Sequence, residues 1–392
     1  MDDTTLQFAR EHSHEDTAQL LLRAARYPHI DMRAAAQQIE GLRMAADKWP
    51  SLLDNSAYLF PPHLNCEQSS SDATARYRAE QLIPVGARVA DLTGGMGIDT
   101  LWMARRAAAV TYVERDGNLC ALMRHNLQVM GVDNVVCQQA DSMEWLAGEN
   151  RQFDMIYLDP ARRSGGRRVF AFEDCTPNLL EHIDLLRLRC GRLVVKSSPM
   201  IDLRQAQRQL SLVEEIHIVA VQGECKEVVF VCGSHQGEPL IKCVNLTSRT
   251  CQTNTFSFTW ADEASCEAHL CSKSGSYLYE PHAALMKASA YKLIAQRYDM
   301  AQLDVNSHLY TADRLVGDFP GRVFRVAQEV RLRRPVLHGL LPDGRVHVVT
   351  RNYPVAAADL QRQLGLSEGG DRYLIATTVA GQRCGFLCER LS

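Results

Sequence analysis

Two kinds of hydrophobic spacing divide the chain. Near the N-terminus, "DTAQLLLRAARYP" and "DMRAAAQQIEGLRMAADKWP" carry apolar residues three to four apart, and each stops at a proline, as amphipathic helices do. From residue 88, short apolar runs alternate with longer amphipathic segments. The runs "RVADL", "VTYVE", "NVVCQQ", "FDMIYL" and "RLVVK" read as strands. Between the second and third, Leu119, Leu122, Met123, Leu127 and Met130 fall on one helical face. Strands alternating with helices predict an α/β core whose sheet is mostly parallel and covered on both faces. "VEEIHIVAVQGECKEVVFVCG" then reads as two consecutive strands, an antiparallel pair at one edge of that sheet.

The remaining third is less regular. "TNTFSFTWADE" has weak β patterning, and "YLYEPHAALMKASAYKLIAQRY" predicts a helix. The tail mixes strands with one helix, and its "PDG" and "AGQ" turns suit β hairpins. The expected organisation is a helical domain over 1–77, the α/β core over 78–235, a connecting β segment over 236–276, a further segment over 277–321, and a small α+β domain over 322–392.

At 392 residues the chain has room for two or three domains, each with its own core. A net charge of −3 excludes a protein that is basic overall, yet the charge is uneven. Residues 151–210 hold ten Arg and one Lys against seven acids, and 321–351 hold seven Arg against Glu329 and Asp343. No uninterrupted apolar stretch approaches the ~18 residues of a membrane helix. "MDDTTLQFAREHSHEDT" lacks the basic-then-apolar layout of a signal peptide. Thirteen scattered cysteines suit reduced thiols better than a disulfide framework, so the expectation is a cytoplasmic protein. Cys266, His269 and Cys271 have metal-like spacing but no second paired cluster, so no metal is expected.

Candidate chemistry begins at "RVADLTGGMGIDT". Gly95 and Gly97 supply the first two glycines of a dinucleotide fingerprint, but Thr100 stands where the third belongs. Glu114, 20 residues beyond Gly94, fits a ribose-binding acid in a nicotinamide site or in another adenosine site. Asp91 weighs between them: a carboxylate ending the first strand repels a pyrophosphate and suits a cationic amino acid moiety. A P-loop is excluded, since no Gly-Lys-Ser/Thr follows.

These residues resemble the class I S-adenosylmethionine (SAM)-dependent methyltransferases. "DLTGGMG" looks like their first motif, "VTYVERD" the second, "QQADSMEWL" the third-strand end and "MIYLDPARR" the fourth motif, in the right order and each ending a predicted strand. "CEQSSSDATARYRAEQL", "GECKEVVF", "YLYEPHAALMKA", "FPGRVF", "TRNYP" and "GGDRYLIATT" extend the likeness over nearly the whole chain. They resemble the bacterial methyltransferase family with a ferredoxin-like insert (here 277–321) and a C-terminal THUMP-like domain (here 322–392). The resemblance implies a Rossmann-like core with a seven-stranded sheet, SAM as cofactor and RNA, rRNA or tRNA, as partner. Thr93, Gly94, Gly95, Gly97 and Asp99 would form the cofactor loop, with Asp91 on the methionine ammonium. Glu114 would stand at the ribose and Asp141 at the adenine amine, with Arg115 and Ser142 also in the cofactor site. Glu67 and Ser70 would belong to a segment folded over the methionine end.

Asp159-Pro160 resembles the Asp/Asn-Pro-Pro-aromatic motif of amino methyltransferases, in which the acid accepts hydrogens from a planar exocyclic amine. Ala161 and Arg162 replace the second proline and the aromatic residue. Guanine-N2 methyltransferases also vary here, which makes guanine N2 the first acceptor to expect. Arg162, Arg163, Arg167 and Arg168 follow the acid directly and suit phosphate contacts. Phe170 and Phe172 could stack a splayed-out base, with core packing expected of at least one. A protein or small-molecule acceptor, or a non-catalytic RNA-binding role for the same fold, are the alternatives.

Overall fold

The computed structural model describes residues 1–162, 172–235, 237–246 and 254–391. Two compact units make up the chain. One is Met1–Ile216 with Glu227–Gly237 and Leu246–Gln252, and the other is His217–Lys226 with Glu238–Asn245 and Thr253–Ser392.

The first unit opens with helices α1 (Asp3–Glu11), α2 (Thr17–Leu22) and α3 (Met32–Lys48). Asp31 starts α3 by accepting backbone N–H bonds from Arg33 at 3.1 Å and Ala34 at 3.0 Å, a side-chain N-cap. Phe8, Leu20, Met32 and Ile39 form the helices' own small core. Trp49, Tyr58 and Phe60 belong to another cluster, packed with Met96, Ile98, Tyr112 and Met123. The N-terminal segment therefore shares a core with the glycine loop. Helices α4 (His63–Gln68) and α5 (Asp72–Leu82) lead into the sheet.

The strands are β1 (Arg88–Asp91), β2 (Ala109–Glu114), β3 (Val135–Gln139), β4 (Phe153–Leu158), β5 (Cys190–Ser197), β6 (Val213–Val221) and β7 (Glu224–Cys232), followed by β8 (Leu240–Leu246) and β9 (Asn254–Phe258). Their order is β9-β8-β6-β7-β5-β4-β1-β2-β3. Strands β3, β2, β1, β4 and β5 run parallel, and β7 returns antiparallel against β5. The β6–β7 turn has Gln222 at φ 52° and Gly223 at φ 83°, the positive pair a two-residue hairpin needs. That hairpin is not the edge that its sequence predicts, because β8 and β9 pair antiparallel beyond it and extend the seven-stranded order by two.

Helices α6 (Ile98–Ala104), α7 (Gly117–Met130) and α8 (Ser142–Gly148) follow β1, β2 and β3, and α9 (Ile183–Arg189) and α10 (Leu203–Leu210) flank β5. Leu119, Met123 and Leu127 of α7 are buried, as their spacing requires. The strand order reverses at β1, between β4 and β2. In open α/β sheets ligands bind beyond the carboxyl ends of the strands at such a point.

The second unit contains a seven-stranded sheet. Its members are β10 (Tyr277–Pro281), β11 (Ala301–Gln302), β12 (Tyr310–Ala312), β13 (Gly321–Val330), β14 (His347–Thr350), β15 (Arg372–Val379) and β16 (Gln382–Arg390), ordered β11-β12-β10-β13-β16-β15-β14. Here the sequence reading is corrected. The single helix expected from Tyr277 is instead a strand followed by two short helices, Ala283–Ala288 and Tyr291–Tyr298, because residues 277–281 pair with strands on both sides, Pro281 has no N–H for a helix interior, and Ser289 at φ 58° ends the first helix. The tail holds two helices, Arg334–Leu340 and Ala357–Leu364, rather than one. "AGQ" closes the β15–β16 hairpin with Ala380 at φ 45° and Gly381 at φ 79°. "PDG" instead links the first of those helices to β14, which pairs parallel to β15.

Candidate active site

The glycine loop is held from below and from both sides. Gly94 rests on Tyr112, and a Cβ there would come within 2.2 Å of the ring. The Tyr112 hydroxyl donates to the Gly95 carbonyl at 2.7 Å. Gly97 has φ 85°, and a side chain there would meet the Met123 sulfur at 2.4 Å. Asp91 is 1% exposed; its Oδ2 accepts from the Thr100 hydroxyl at 2.6 Å and its Oδ1 from the Thr93 N–H at 3.1 Å. Burial pushes this carboxyl up to about 7.

Three acids stand at the ends of three neighbouring strands. Asp91 ends β1. Glu114 ends β2, and its two oxygens each accept one backbone N–H, from Gly95 at 2.9 Å and from Asp116 at 2.9 Å. Asp141 lies two residues beyond β3 and caps α8, accepting from Met143 at 2.9 Å and Glu144 at 3.2 Å on Oδ1 alone. Ser142 is the first residue of α8, and Arg115 is exposed beside Glu114. A glycine loop followed by a row of carboxylates fits a cofactor that is cationic at one end and offers hydroxyls and an amine along its length. It does not fit a pyrophosphate, which Asp91 would repel.

Asp159 follows β4, and its N–H donates to Thr93 Oγ1 at 2.7 Å, tying the β1 and β4 loops together. Its Oδ2 accepts from the Lys196 ammonium, which stands near the end of β5. Lys196 also donates to Ser70 Oγ at 3.2 Å. Ser70 in turn donates to Asp99 Oδ2 at 2.7 Å and accepts from Arg78 at 2.7 Å. Arg78 is fully buried, ion-paired with Asp99 and Glu227, and lies 5.8 Å over the Tyr157 ring. Burial works against the Asp99 charge, but Arg78 and Lys196 outweigh it and hold that carboxyl below its usual value. Burial likewise opposes the Lys196 charge, and Asp159 outweighs it, so the ammonium lies above the ordinary lysine value.

Three family models match the chain: conserved hypothetical protein 95 over residues 84–173, a ferredoxin-like domain over 277–320 and a THUMP domain-like region over 321–390. A crystal structure from Porphyromonas gingivalis W83, assigned to the methyltransferases, is 30% identical, covers 100% of both chains and superposes with a TM-score of 0.88. The chain belongs to the SAM-dependent methyltransferase family with ferredoxin-like and THUMP-like domains. An uncharacterised SAM-dependent methyltransferase of Mycobacterium tuberculosis (strain H37Rv) is 27% identical over 86% of this chain and 90% of its own length. The 23S rRNA (uracil(1939)-C(5))-methyltransferase RlmD of Photobacterium angustum is 41% identical over 78 residues, 19% of this chain and 36% of its own.

Within this methyltransferase the sequence-expected residues separate into groups. Thr93, Gly94, Gly95, Gly97, Asp91, Glu114 and Asp141 line the ends of β1–β3, with Asp159 and Pro160 next to them after β4. The Asp99 carboxylate bonds Arg78, Ser70 and Tyr157, so its place is in the buried network. Ser70 lies in that network too, while Glu67 is exposed on α4 beside His63. Of the arginine loop, Arg162 pairs its backbone with Cys175, whereas Arg163, Arg167 and Arg168 lie outside the described residues, as does Phe170. Phe172 is core, edge-on to Phe230 with centroids 5.9 Å apart. Among the described residues no three metal-ligating side chains converge, and no helix is long and apolar enough to cross a membrane. Sequence reasoning passed over Lys196, Arg78 and Glu227. A lysine closing the apolar run "RLVVK" at a carboxyl strand end was the available signal for the first.

Proposed function

We propose that this methyltransferase modifies an exocyclic base amine in RNA, with guanine N2 the first acceptor to test. The observation that carries the reading is Asp159, an acid following β4 next to the glycine loop, with one oxygen bonded to Lys196 and the other without a hydrogen bond among the described residues. An amine needs a group that accepts its hydrogens and aims its lone pair, and proximity then supplies much of the rate. Pro160 restrains the backbone that carries Asp159.

Bound SAM supplies an electrophilic methyl group. In this reading Asp91 takes its ammonium, Glu114 accepts from the ribose hydroxyls with the lone pairs that its two backbone bonds leave, and Asp141 accepts from the adenine amine. RNA as acceptor is supported by the rRNA substrate that RlmD carries in its name, by the THUMP-like region and by the arginines after Asp159.

The test is transfer of labelled methyl from SAM into RNA from cells lacking this protein, with Asp159→Ala as control. Label that ribonuclease releases as a base-methylated nucleoside, and that is absent with the variant, supports the proposal. Label in protein or small molecules alone overturns it.

A further inference from the structure

The geometry points to Lys196 as the positioning residue that restricts the acceptor to a nitrogen bearing its own hydrogens. This rests on the proposed amine chemistry and deepens it. The Lys196 side chain is 13% exposed and that of Asp159 33%, so the ammonium stands behind the carboxylate, away from solvent. Two of its hydrogens go to Asp159 Oδ2 and Ser70 Oγ. Ser70 cannot yield, because its oxygen also accepts from Arg78 and its hydrogen goes to Asp99. Arg78 is locked in turn by Asp99 and Glu227. Lys196 is therefore fixed in place and charged.

Two consequences decide the acceptor class. First, an ammonium has no lone pair and a carboxylate is too weak a base to ionise a hydroxyl, whereas an amine attacks through its own lone pair and needs a base only for the acidic proton it then sheds. Second, with Oδ2 bonded to Lys196, Asp159 presents Oδ1 as a fixed acceptor, which selects a group that donates. An amine meets both conditions. Its lone pair forms the new nitrogen–carbon bond while the carbon–sulfur bond breaks with its electrons left on sulfur. The proton released from nitrogen passes to Asp159 and on to water.

Lys196→Ala, Lys196→Arg and wild type are compared for SAM affinity by calorimetry and for kcat, with extract of cells lacking this protein as acceptor and products split by ribonuclease and protease. Lys196→Ala is expected to keep its SAM Kd within about threefold and lose about 100-fold in kcat, the usual effect of removing one preorganised donor. Lys196→Arg, or ethylammonium added to Lys196→Ala, should restore at least about tenfold of that loss, and ethanol should not. Wild-type turnover by Lys196→Ala, or loss that neither arginine nor ethylammonium repairs, overturns the inference. Failure of the RNA reading is distinguishable: wild-type label would then be protease-sensitive or dialysable, whatever the Lys196 variants do. Label on ribose oxygen would overturn the restriction to amines directly.

Discussion

The Tyr112 hydroxyl reaches under the glycine loop and donates to the Gly95 carbonyl at 2.7 Å, with Gly94 lying on the same ring. One buried tyrosine on β2 thus sets both the height and the direction of the loop that follows β1. The Gly95 N–H, on the other side of that residue, points at Glu114.

Gly94→Ala should therefore do more than remove flexibility. Its Cβ would overlap the Tyr112 ring, and relief requires lifting the loop toward the cofactor. The expected outcome is at least about tenfold weaker SAM binding, with about 1–3 kcal/mol of lost stability from overpacking. Calorimetry and urea unfolding measure the two. Gly94→Ala with unchanged SAM affinity would mean that the cofactor does not lie against this backbone.

Arg78 offers a stability test away from the cofactor. Arg78→Met leaves Asp99 and Glu227 facing each other in the interior, and breaking a buried ion network in this way costs about 3–5 kcal/mol. Arg78→Lys should recover only part, since a single ammonium does not reproduce the planar fork. Urea denaturation decides. A loss below about 1 kcal/mol would place the network among pairs that water readily replaces.

These residues show what the sequence could and could not reveal. The strand-end positions of the glycine loop, Glu114, Asp141 and Asp159 were legible because each closes or shortly follows a predicted strand, and carboxyl strand ends are where this fold binds ligands. The position of Asp99 after the glycines points to the cofactor loop; that its carboxylate also bonds Arg78 is something no local pattern announces. Arg78 and Glu227 lie 149 residues apart, and Lys196 is 37 from Asp159. Periodicity reports which face a residue shows, not which distant charge it meets. The Tyr277–Pro281 strand was hidden for a related reason: the apolar spacing that continues through Ala283–Tyr298 suits a helix, and pairing with β12 and β13 overrides it.

Binding and turnover should separate by residue. Glu114→Ala is expected to weaken SAM binding by roughly 1–3 kcal/mol, the cost of losing charge-assisted bonds. Asp159→Ala should leave SAM affinity nearly intact and lower kcat steeply. Calorimetry beside a methyl-transfer assay checks both. Equal SAM affinity in Glu114→Ala and wild type would remove Glu114 from the cofactor site, and wild-type turnover in Asp159→Ala would assign acceptor orientation to another group.

Asp91 makes the site sensitive to pH near neutrality. Burial first, then the nearby Asp99 and Asp159 charges, push its carboxyl from 3.8 to about 7, against the bonds from Thr100 and Thr93. The folded pKa is raised, so this group's contribution to stability is full below about pH 4 and is lost as pH rises through about 7. Asp91→Asn cannot ionise, and its melting temperature should gain on wild type progressively from about pH 4 to about pH 7 and level off above that. Ligand binding runs the other way. A cationic ammonium favours ionised Asp91, so wild-type SAM affinity should rise through the same interval, with proton release on binding. Calorimetry in two buffers of different ionisation enthalpy reads that release. Asp91→Asn should bind more weakly with no proton released. Proton release that persists in Asp91→Asn would assign the titration to a different acid.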